Sequence, residues 1–214
     1  EYNALVLVNA ANVGRSAQVY KYLCRLGIRY HQYIPCVEFD EHGNLAPYAV
    51  TGVQWGEFML GIFEQWYPHD VRRISVRLFD SILSVLLGRG ATVCYMGRDC
   101  RQYFVVEYNG DVYPCDFFVE PHLLLGNIMT HSWDELQASG LYREFGRMKA
   151  RWNRRCNSCQ YLDFCHGDCL KMRLYAGNDP RTLSWLCEGW RVFYRRTLPV
   201  FRRLAAEIVS RQRT

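Results

Sequence analysis

Residues 156–169 read Cys156-Asn157-Ser158-Cys159-Gln160-Tyr161-Leu162-Asp163-Phe164-Cys165-His166-Gly167-Asp168-Cys169, a C-x2-C-x5-C-x3-C array. Upstream, Cys100 and Cys115 are joined by C-x9-G-x4-C through Gly110. Cys94 stands before that pair and Cys187 beyond the array, so eight of the ten cysteines form one ordered series. That is enough thiolate for two four-ligand metal sites.

An even number of cysteines also admits a disulfide framework, as in many oxidised secreted domains. A chain of 214 residues buries an adequate core without covalent staples, and no signal peptide stands at Glu1. The expectation is therefore a reducing cytoplasm in which thiols stay free for metal. Soft thiolates without companion histidines select zinc or iron-sulfur clusters. Zinc ribbons use two CxxC knuckles separated by roughly 15–20 residues. Here one CxxC is followed by widely scattered cysteines, a pattern that favours clusters, which accept ligands from distant loops.

These spacings, with Tyr108-Asn109-Gly110-Asp111-Val112-Tyr113-Pro114-Cys115-Asp116 and the final Cys187, resemble the SPASM domain of radical S-adenosylmethionine enzymes. Within that superfamily the resemblance is to the anaerobic sulfatase-maturating enzymes. It extends to Leu125-Gly126-Asn127-Ile128 and Phe145-Gly146-Arg147-Met148-Lys149 and covers most of the chain. Two positions depart from the family pattern without touching the ligands. Arg101 stands where a glycine commonly follows the second cysteine, and His166-Gly167-Asp168 stands where the C-x3-C commonly holds Gly-Gly. No C-x3-C-x2-C run occurs, so the cluster that binds and cleaves S-adenosylmethionine is not encoded here, and the chain is expected to be the C-terminal portion of a longer enzyme.

Spacing alone leaves the division of the eight cysteines open: Cys165 and Cys169, at i and i+4, would on a helix aim at one metal. The resemblance implies a crossed division instead. One 4Fe-4S cluster takes Cys94, Cys100, Cys115 and Cys169; the other takes Cys156, Cys159, Cys165 and Cys187. With all four ligands supplied by protein, such clusters suit electron transfer and structural roles. On its own, Asp116 reads as a carboxylate bonding a backbone amide beside a ligand. The resemblance implies instead that it is the catalytic base taking the proton of a substrate Cys or Ser.

The resemblance further implies the reaction, oxidation of an active-site Cys or Ser of a sulfatase polypeptide to formylglycine. It brings S-adenosylmethionine and a third 4Fe-4S cluster in the intact enzyme, and a ferredoxin or flavodoxin as electron acceptor. This fragment alone is expected to be inactive. The alternatives are maturation of another ribosomal peptide and a non-catalytic zinc or electron-transfer module.

Working back toward the N-terminus, Tyr2–Asn9 alternates and then saturates with Leu and Val like a buried parallel strand. Ser16 is placed to cap a helix whose Val19, Leu23 and Leu26 share a face and which ends near Gly27. Ile28–Pro35 reads as the next strand, which makes a parallel βαβ unit. A second helix, Trp55–Tyr67, carries Phe58, Ile62, Phe63 and Trp66 as core and stops at Pro68.

The expected fold class is α/β plus irregular α+β. Residues 1–90 form the C-terminal part of a partial (β/α) barrel, and residues 91–214 form a SPASM domain with a β-hairpin and helices. In a barrel, chemistry sits at the C-terminal ends of strands, which places Asn9, Asn12, Ile34 and Cys36 at the mouth. Ile34 is the candidate S-adenosylmethionine contact. Asn9 and Asn12 equally suit turn chemistry. Cys36 and Cys24 read as packing cysteines outside the metal sites.

Gly88-Arg89-Gly90 marks the domain boundary. Beyond it, Gln102–Tyr108, the turn Asn109-Gly110 and Asp111–Pro114 read as a hairpin that delivers Cys115 and Asp116. Ser132-Trp133-Asp134-Glu135 is a capping box, and Leu141–Lys149 reads as a helix. Leu183–Gln212 reads as a long helix interrupted by Pro199. No run reaches about 20 apolar residues, so no membrane span is expected. The net charge is +5. Arg151, Arg154 and Arg155 lack the interleaved aromatics of a nucleic-acid motif, and Arg191, Arg195, Arg196, Arg202 and Arg203 read as a solvated helix face. His122, His131 and His166 carry no catalytic signal.

Overall fold

The computed structural model describes residues 2–212 and divides into two compact units, one of residues up to Val93 together with those from Ser184 onward, the other Cys94–Leu183. In the first unit β1 (Asn3–Val8) and β2 (Tyr30–Pro35) pair in parallel, Asn3 opposite Tyr30 and Leu7 opposite Ile34, and β3 (Ser75–Val76) extends the sheet beyond β2. The connection between β1 and β2 is α1 (Ser16–Arg25), which gives the expected βαβ unit. β1 is buried less than its apolar sequence suggested: Leu5 is 63% and Leu7 52% exposed. The alternation of the strand is the physical reason: Asn3, Leu5 and Leu7 share its exposed face, while Ala4, Val6 and Val8 lie on the more buried one.

Ser16 does not cap α1. It is the first helical residue, preceded by Arg15 with no side-chain cap, and the buried face is Tyr20 and Leu23 while Leu26 lies exposed. The helix does end at Gly27. With φ +75° there, the amides of Gly27 and Ile28 return to the carbonyls of Cys24 and Leu23, a closure that a residue with Cβ resists.

A capping box of Thr51 and Gln54 starts α2 (Gly52–Trp66) a turn earlier than its apolar pattern does. Phe58, Ile62, Phe63 and Trp66 are all buried, as the spacing required. Arg77–Leu86 forms α3. The C-terminal helix, Cys187–Gln212, runs continuously through Pro199 and keeps Arg191, Arg195, Arg196, Arg202 and Arg203 exposed.

That helix belongs to the first unit, whereas residues 91–214 had been expected to form a single domain. Glycines explain the packing. A Cβ on Gly56 would lie 2.4 Å from the Gly189 carbonyl oxygen, and one on Gly52 2.5 Å from that of Trp185. Backbone therefore meets backbone where α2 crosses the C-terminal helix, around a core that includes Phe63, Trp66, Phe79, Phe193 and Phe201.

In the second unit β4 (Val105–Val106) and β5 (Asp111–Tyr113) form the expected hairpin, shorter than its sequence pattern, with Gly110 at φ +87° in the turn. β6 (Gly126–Asn127) pairs antiparallel with β5 and completes a three-stranded sheet. Ser132 and Glu135 do form a capping box, and it opens α4 (Trp133–Ala138). Ser139 accepts from the Tyr142 amide at the head of α5 (Gly140–Met148), and α6 (Leu162–Cys165) is a single turn within the cysteine array. Tyr113, Phe118, Leu123, Phe145 and Leu170 form a compact core, against which Cys100 and Cys115 pack.

Candidate metal centre

All ten cysteines are free thiols, so the disulfide reading falls away. Cys94 opens a 3-10 turn, Cys94–Met96, and its sulfur meets the Tyr103 hydroxyl at 3.6 Å. Cys100 sits in a loop laid directly on α5. The Gly146 carbonyl accepts from the amides of both Cys100 and Lys149, each at 3.3 Å, and a Cβ on Gly146 would strike Asp99 and Arg101 at 2.5 Å. Arg101, in the position where the family commonly has glycine, has a use of its own. Its guanidinium grips Asp99, with Nη2 to Oδ2 at 2.8 Å, and its amide donates to Asp99 Oδ1 at 2.9 Å, closing the turn that presents Cys100.

The hairpin carries Cys115 to the end of β5, where its thiol donates to Asp116 Oδ1 at 3.3 Å. Asp116 itself is exposed. Cys156 closes a short turn, Arg154–Cys156, in which Asn153 Oδ1 accepts from the Arg155 amide and Asn153 Nδ2 donates to the Arg181 carbonyl. The Cys159 amide returns to the Cys156 carbonyl at 3.0 Å.

Cys165 ends α6, and the chain then takes three consecutive positive φ values, His166 at 45°, Gly167 at 77° and Asp168 at 68°. This left-handed run separates Cys165 from Cys169, so the two do not share a helix face and the i, i+4 alignment at one metal is not made. His166 Nδ1–H donates to the Met96 carbonyl at 2.6 Å, a structural use that occupies the ring. Cys187 lies in the other unit, as the first residue of the C-terminal helix.

Electrostatics show which sulfurs share surroundings. Burial pushes the Cys100 thiol up to about 11, with Cys94 adding to the rise and Lys149 and Arg173 opposing it. Burial likewise takes Cys115 up to about 12, helped by Asp116 and Cys100. Cys169 is raised still further, by burial first, then by Asp168, Cys100 and Cys94. Cys100 thus feels Cys94 and acts on both Cys115 and Cys169, and Cys94 acts on Cys169 as well. Cys156, raised by burial, feels Cys159 next. Tyr103 is raised by burial and then by Cys94, with Cys115 and Asp116 contributing, which places its hydroxyl in the same neighbourhood.

No group of three or more His, Cys, Asp or Glu among the described residues is gathered closely enough to hold a single metal ion. The donor set nonetheless suits an anionic iron-sulfur group. Backbone amides two residues on, Phe117 for Cys115 and Lys171 for Cys169, point at the sulfurs and favour thiolate.

Two cations that sequence reasoning missed are also here. Lys149 and Arg173 are both 0% exposed, and among the described residues neither forms an ion pair. Lys149 Nζ donates to the carbonyls of Tyr95 and His166, each at 3.0 Å, residues adjoining Cys94 and Cys165. Lys149 was visible within the matched stretch Phe145–Lys149; Arg173 had no signal beyond its place four residues after Cys169.

In the first unit, Asn9 and Asn12 do turn chemistry. Asn9 Oδ1 accepts from the Ala11 amide, Asn12 Oδ1 from the Asn9 amide, and Asn12 Nδ2 donates to the Leu7 carbonyl. Ile34 lies half-buried in β2 opposite Leu7. The Cys36 amide bonds the Val8 carbonyl, and Cys24, half-buried near Tyr20, is raised by burial first and then by Asp70. No helix among the described residues is long and apolar enough to cross a membrane.

Residues 94–160 match the model of SPASM, an iron-sulfur cluster-binding domain, and the second unit carries that domain. Over nearly its whole length the chain is a relative of the anaerobic sulfatase-maturating enzymes. It is 31% identical to the serine-type enzyme of Bacteroides thetaiotaomicron, over 99% of this chain and 55% of that protein. With the cysteine-type enzyme of Clostridium perfringens the identity is 29%, over 93% of this chain and 55% of that protein. A solved structure described as native anSMEcpe with bound AdoMet and Cp18Cys peptide superposes with a TM-score of 0.88 at 27% identity, covering 97% of this chain and 58% of that one. The chain thus spans a little over half the length of the relatives it matches.

Proposed function

We propose that the chain is the C-terminal part of a radical S-adenosylmethionine enzyme that oxidises an active-site Cys or Ser of a sulfatase polypeptide to formylglycine. The observation that carries this reading is Cys100 and Cys115 packed on one core, with Cys100 acting on Cys115 and Cys169 and feeling Cys94, within a chain aligned over 99% of its length with a sulfatase-maturating enzyme. These four cysteines would hold one 4Fe-4S cluster. Cys156, Cys159 and Cys165 would hold the second; for Cys187 the assignment as fourth ligand rests on the resemblance alone.

When bound, these groups supply one-electron chemistry, while S-adenosylmethionine and its own cluster, on the remainder of the enzyme, supply hydrogen-atom abstraction. The first unit would contribute part of a (β/α) barrel, with Ile34 beside S-adenosylmethionine. Asp116 is suited to the proton. It is exposed to an incoming peptide, anchored beside Cys115 and free to accept from a substrate thiol or hydroxyl. Loss of a β-hydrogen, a proton and one further electron completes a two-electron oxidation, and the electron would pass on to a ferredoxin or flavodoxin in a reducing cytoplasm; a serine then stands as the aldehyde, whereas a cysteine stands as the thioaldehyde, which water hydrolyses with release of hydrogen sulfide.

Iron content tests the reading. Anaerobic reconstitution with iron and sulfide should yield a brown chain carrying about 8 irons, as two four-iron clusters require. Stoichiometric zinc with no iron uptake under those conditions would leave a zinc module and remove the electron-transfer role.

A further inference from the structure

Arg173 is held by two of its three nitrogens. Nη1 donates to the Pro180 carbonyl at 2.9 Å and Nη2 to the Lys149 carbonyl at 3.0 Å. The third, Nε, is buried and has no acceptor. A charged donor left without a partner in a side chain that is 0% exposed is costly, and it marks a place where an acceptor is missing. The groups acting on this guanidinium are Asp168, to which Nε makes no bond, and then the sulfurs of Cys100, Cys169 and Cys165. Local connections agree. The Arg173 amide donates to the carbonyl of Leu170, which packs in the same core as Cys100 and Cys115, and the Lys149 that Nη2 reaches shares the Gly146 carbonyl with the Cys100 amide.

We propose that Arg173 Nε–H donates to a sulfur of the iron-sulfur cluster held by Cys94, Cys100, Cys115 and Cys169, and thereby raises that cluster's reduction potential. The inference rests on the iron-sulfur reading given above and adds a residue to it that holds no iron. Arginine suits the task because it remains cationic when buried and its planar fork turns two nitrogens to carbonyls while leaving the third for another acceptor. Hydrogen bonds to cluster sulfur and fixed positive charge both favour the reduced, more anionic state. A cluster that must accept an electron from an oxidised substrate needs that bias. If Arg173 were only a clamp between Lys149 and Pro180, its loss would lower stability or iron content and leave the potential of each loaded cluster where it was.

The test uses the chain loaded anaerobically, with iron and sulfide counted first. Reduction potentials are read by EPR-monitored titration for wild type, Arg173→Met and Arg173→Lys, and wild type labelled with ¹⁵N-arginine is reduced and examined by pulsed EPR. Arg173→Met with full iron should show at least a tenfold fall in the reduced-to-oxidised ratio at a fixed potential, about 59 mV for one electron. Arg173→Lys should shift less, and the labelled wild type should show an arginine nitrogen coupled to the reduced cluster. An unchanged potential at full iron, or no arginine coupling, overturns the inference. Should Arg173→Met fail to fold or to load, the labelled wild type decides alone. A wild-type chain that takes up no iron overturns the proposed function and this inference together.

Discussion

Gly167→Ala should destabilise the metal-free, reduced chain by about 1–4 kcal/mol. The native φ of +77° places an L side chain in the left-handed region, at about 1–2 kcal/mol. The added Cβ would also lie 2.7 Å from Trp152 Cβ, an atom too close to its own backbone to swing away, and overpacking of this kind costs about 1–3 kcal/mol. Against these, alanine restricts the unfolded chain and returns about 0.4–1 kcal/mol.

The neighbouring His166 supplies an internal control. Its φ of 45° is also left-handed, but its ring bonds the Met96 carbonyl. His166→Gly gains about 1–2 kcal/mol of relieved strain. It loses about 1 kcal/mol of hydrogen bond and about 0.4–1 kcal/mol through unfolded-state entropy, for a net near zero. His166→Ala keeps the strain and loses the bond, so it should fall about 1 kcal/mol below wild type. Urea titrations at constant m-value give the order. Gly167→Ala as stable as wild type, or His166→Ala as stable as His166→Gly, would show that residues 166–168 do not turn left-handed and that Cys165 and Cys169 are not parted in this way.

The thiols give a pH signature. Folded-state values raised to about 11 for Cys100 and about 12 for Cys115 mean that their contribution is full below the ordinary value of 9.0 and is lost as pH rises through those raised values. Metal-free protein should therefore weaken from pH 9 upward, by up to about 1.4 kcal/mol per thiol between pH 9 and 10. Iron-loaded protein, whose thiolates have no proton to lose, should not weaken over that range in the same denaturation assay. Among ligand variants, Cys169→Ala should remove the same EPR cluster signal as Cys94→Ala while Cys165→Ala removes the other; a common signal lost by Cys165→Ala and Cys169→Ala would refute the crossed division. In the full-length enzyme, Asp116→Asn should cut formylglycine yield by about 10²-fold or more with both clusters retained, measured by mass spectrometry of a sulfatase peptide; near-normal yield would leave Asp116 as a structural neighbour of Cys115.

Local chemistry was legible where one short segment decides the outcome. Gly27 announces a left-handed stop, Asn109-Gly110 a hairpin, Ser132 with Glu135 a capping box, and Phe58, Ile62, Phe63 and Trp66 a buried helical stripe, and the structure has each of them. What was not legible depends on residues far apart in sequence. Gly52 and Gly56 look like weak points in an apolar helix until Trp185 and Gly189 come to rest on them and draw the C-terminal helix into the first unit. β6 is two residues long and exists because β5 offers it an edge. For the metal centre, spacing picked out the cysteines, yet nothing local separates Cys165 from Cys169; that depends on three backbone torsions, two of them at non-glycine residues.

Lys149 and Arg173 were illegible for a related reason, since a cation in a basic chain reads as surface until its burial is seen. Their burial without an ion pair runs against the usual rule that interior charges are matched. Carbonyl oxygens meet their hydrogen-bonding needs in part, buried Asp168 acts on both, and the sulfurs around them, protonated in the metal-free state by burial, add no further negative charge, while burial and then Arg173 push the Lys149 ammonium down from its ordinary value. Thiolate formation on loading reverses that balance. Each deprotonated sulfur then meets a cation already fixed in place, so no reorganisation is spent on bringing charge to the centre. The same arrangement that leaves the metal-free core short of negative charge is what makes it receptive to an anionic cluster and, once that cluster is seated, to one further electron.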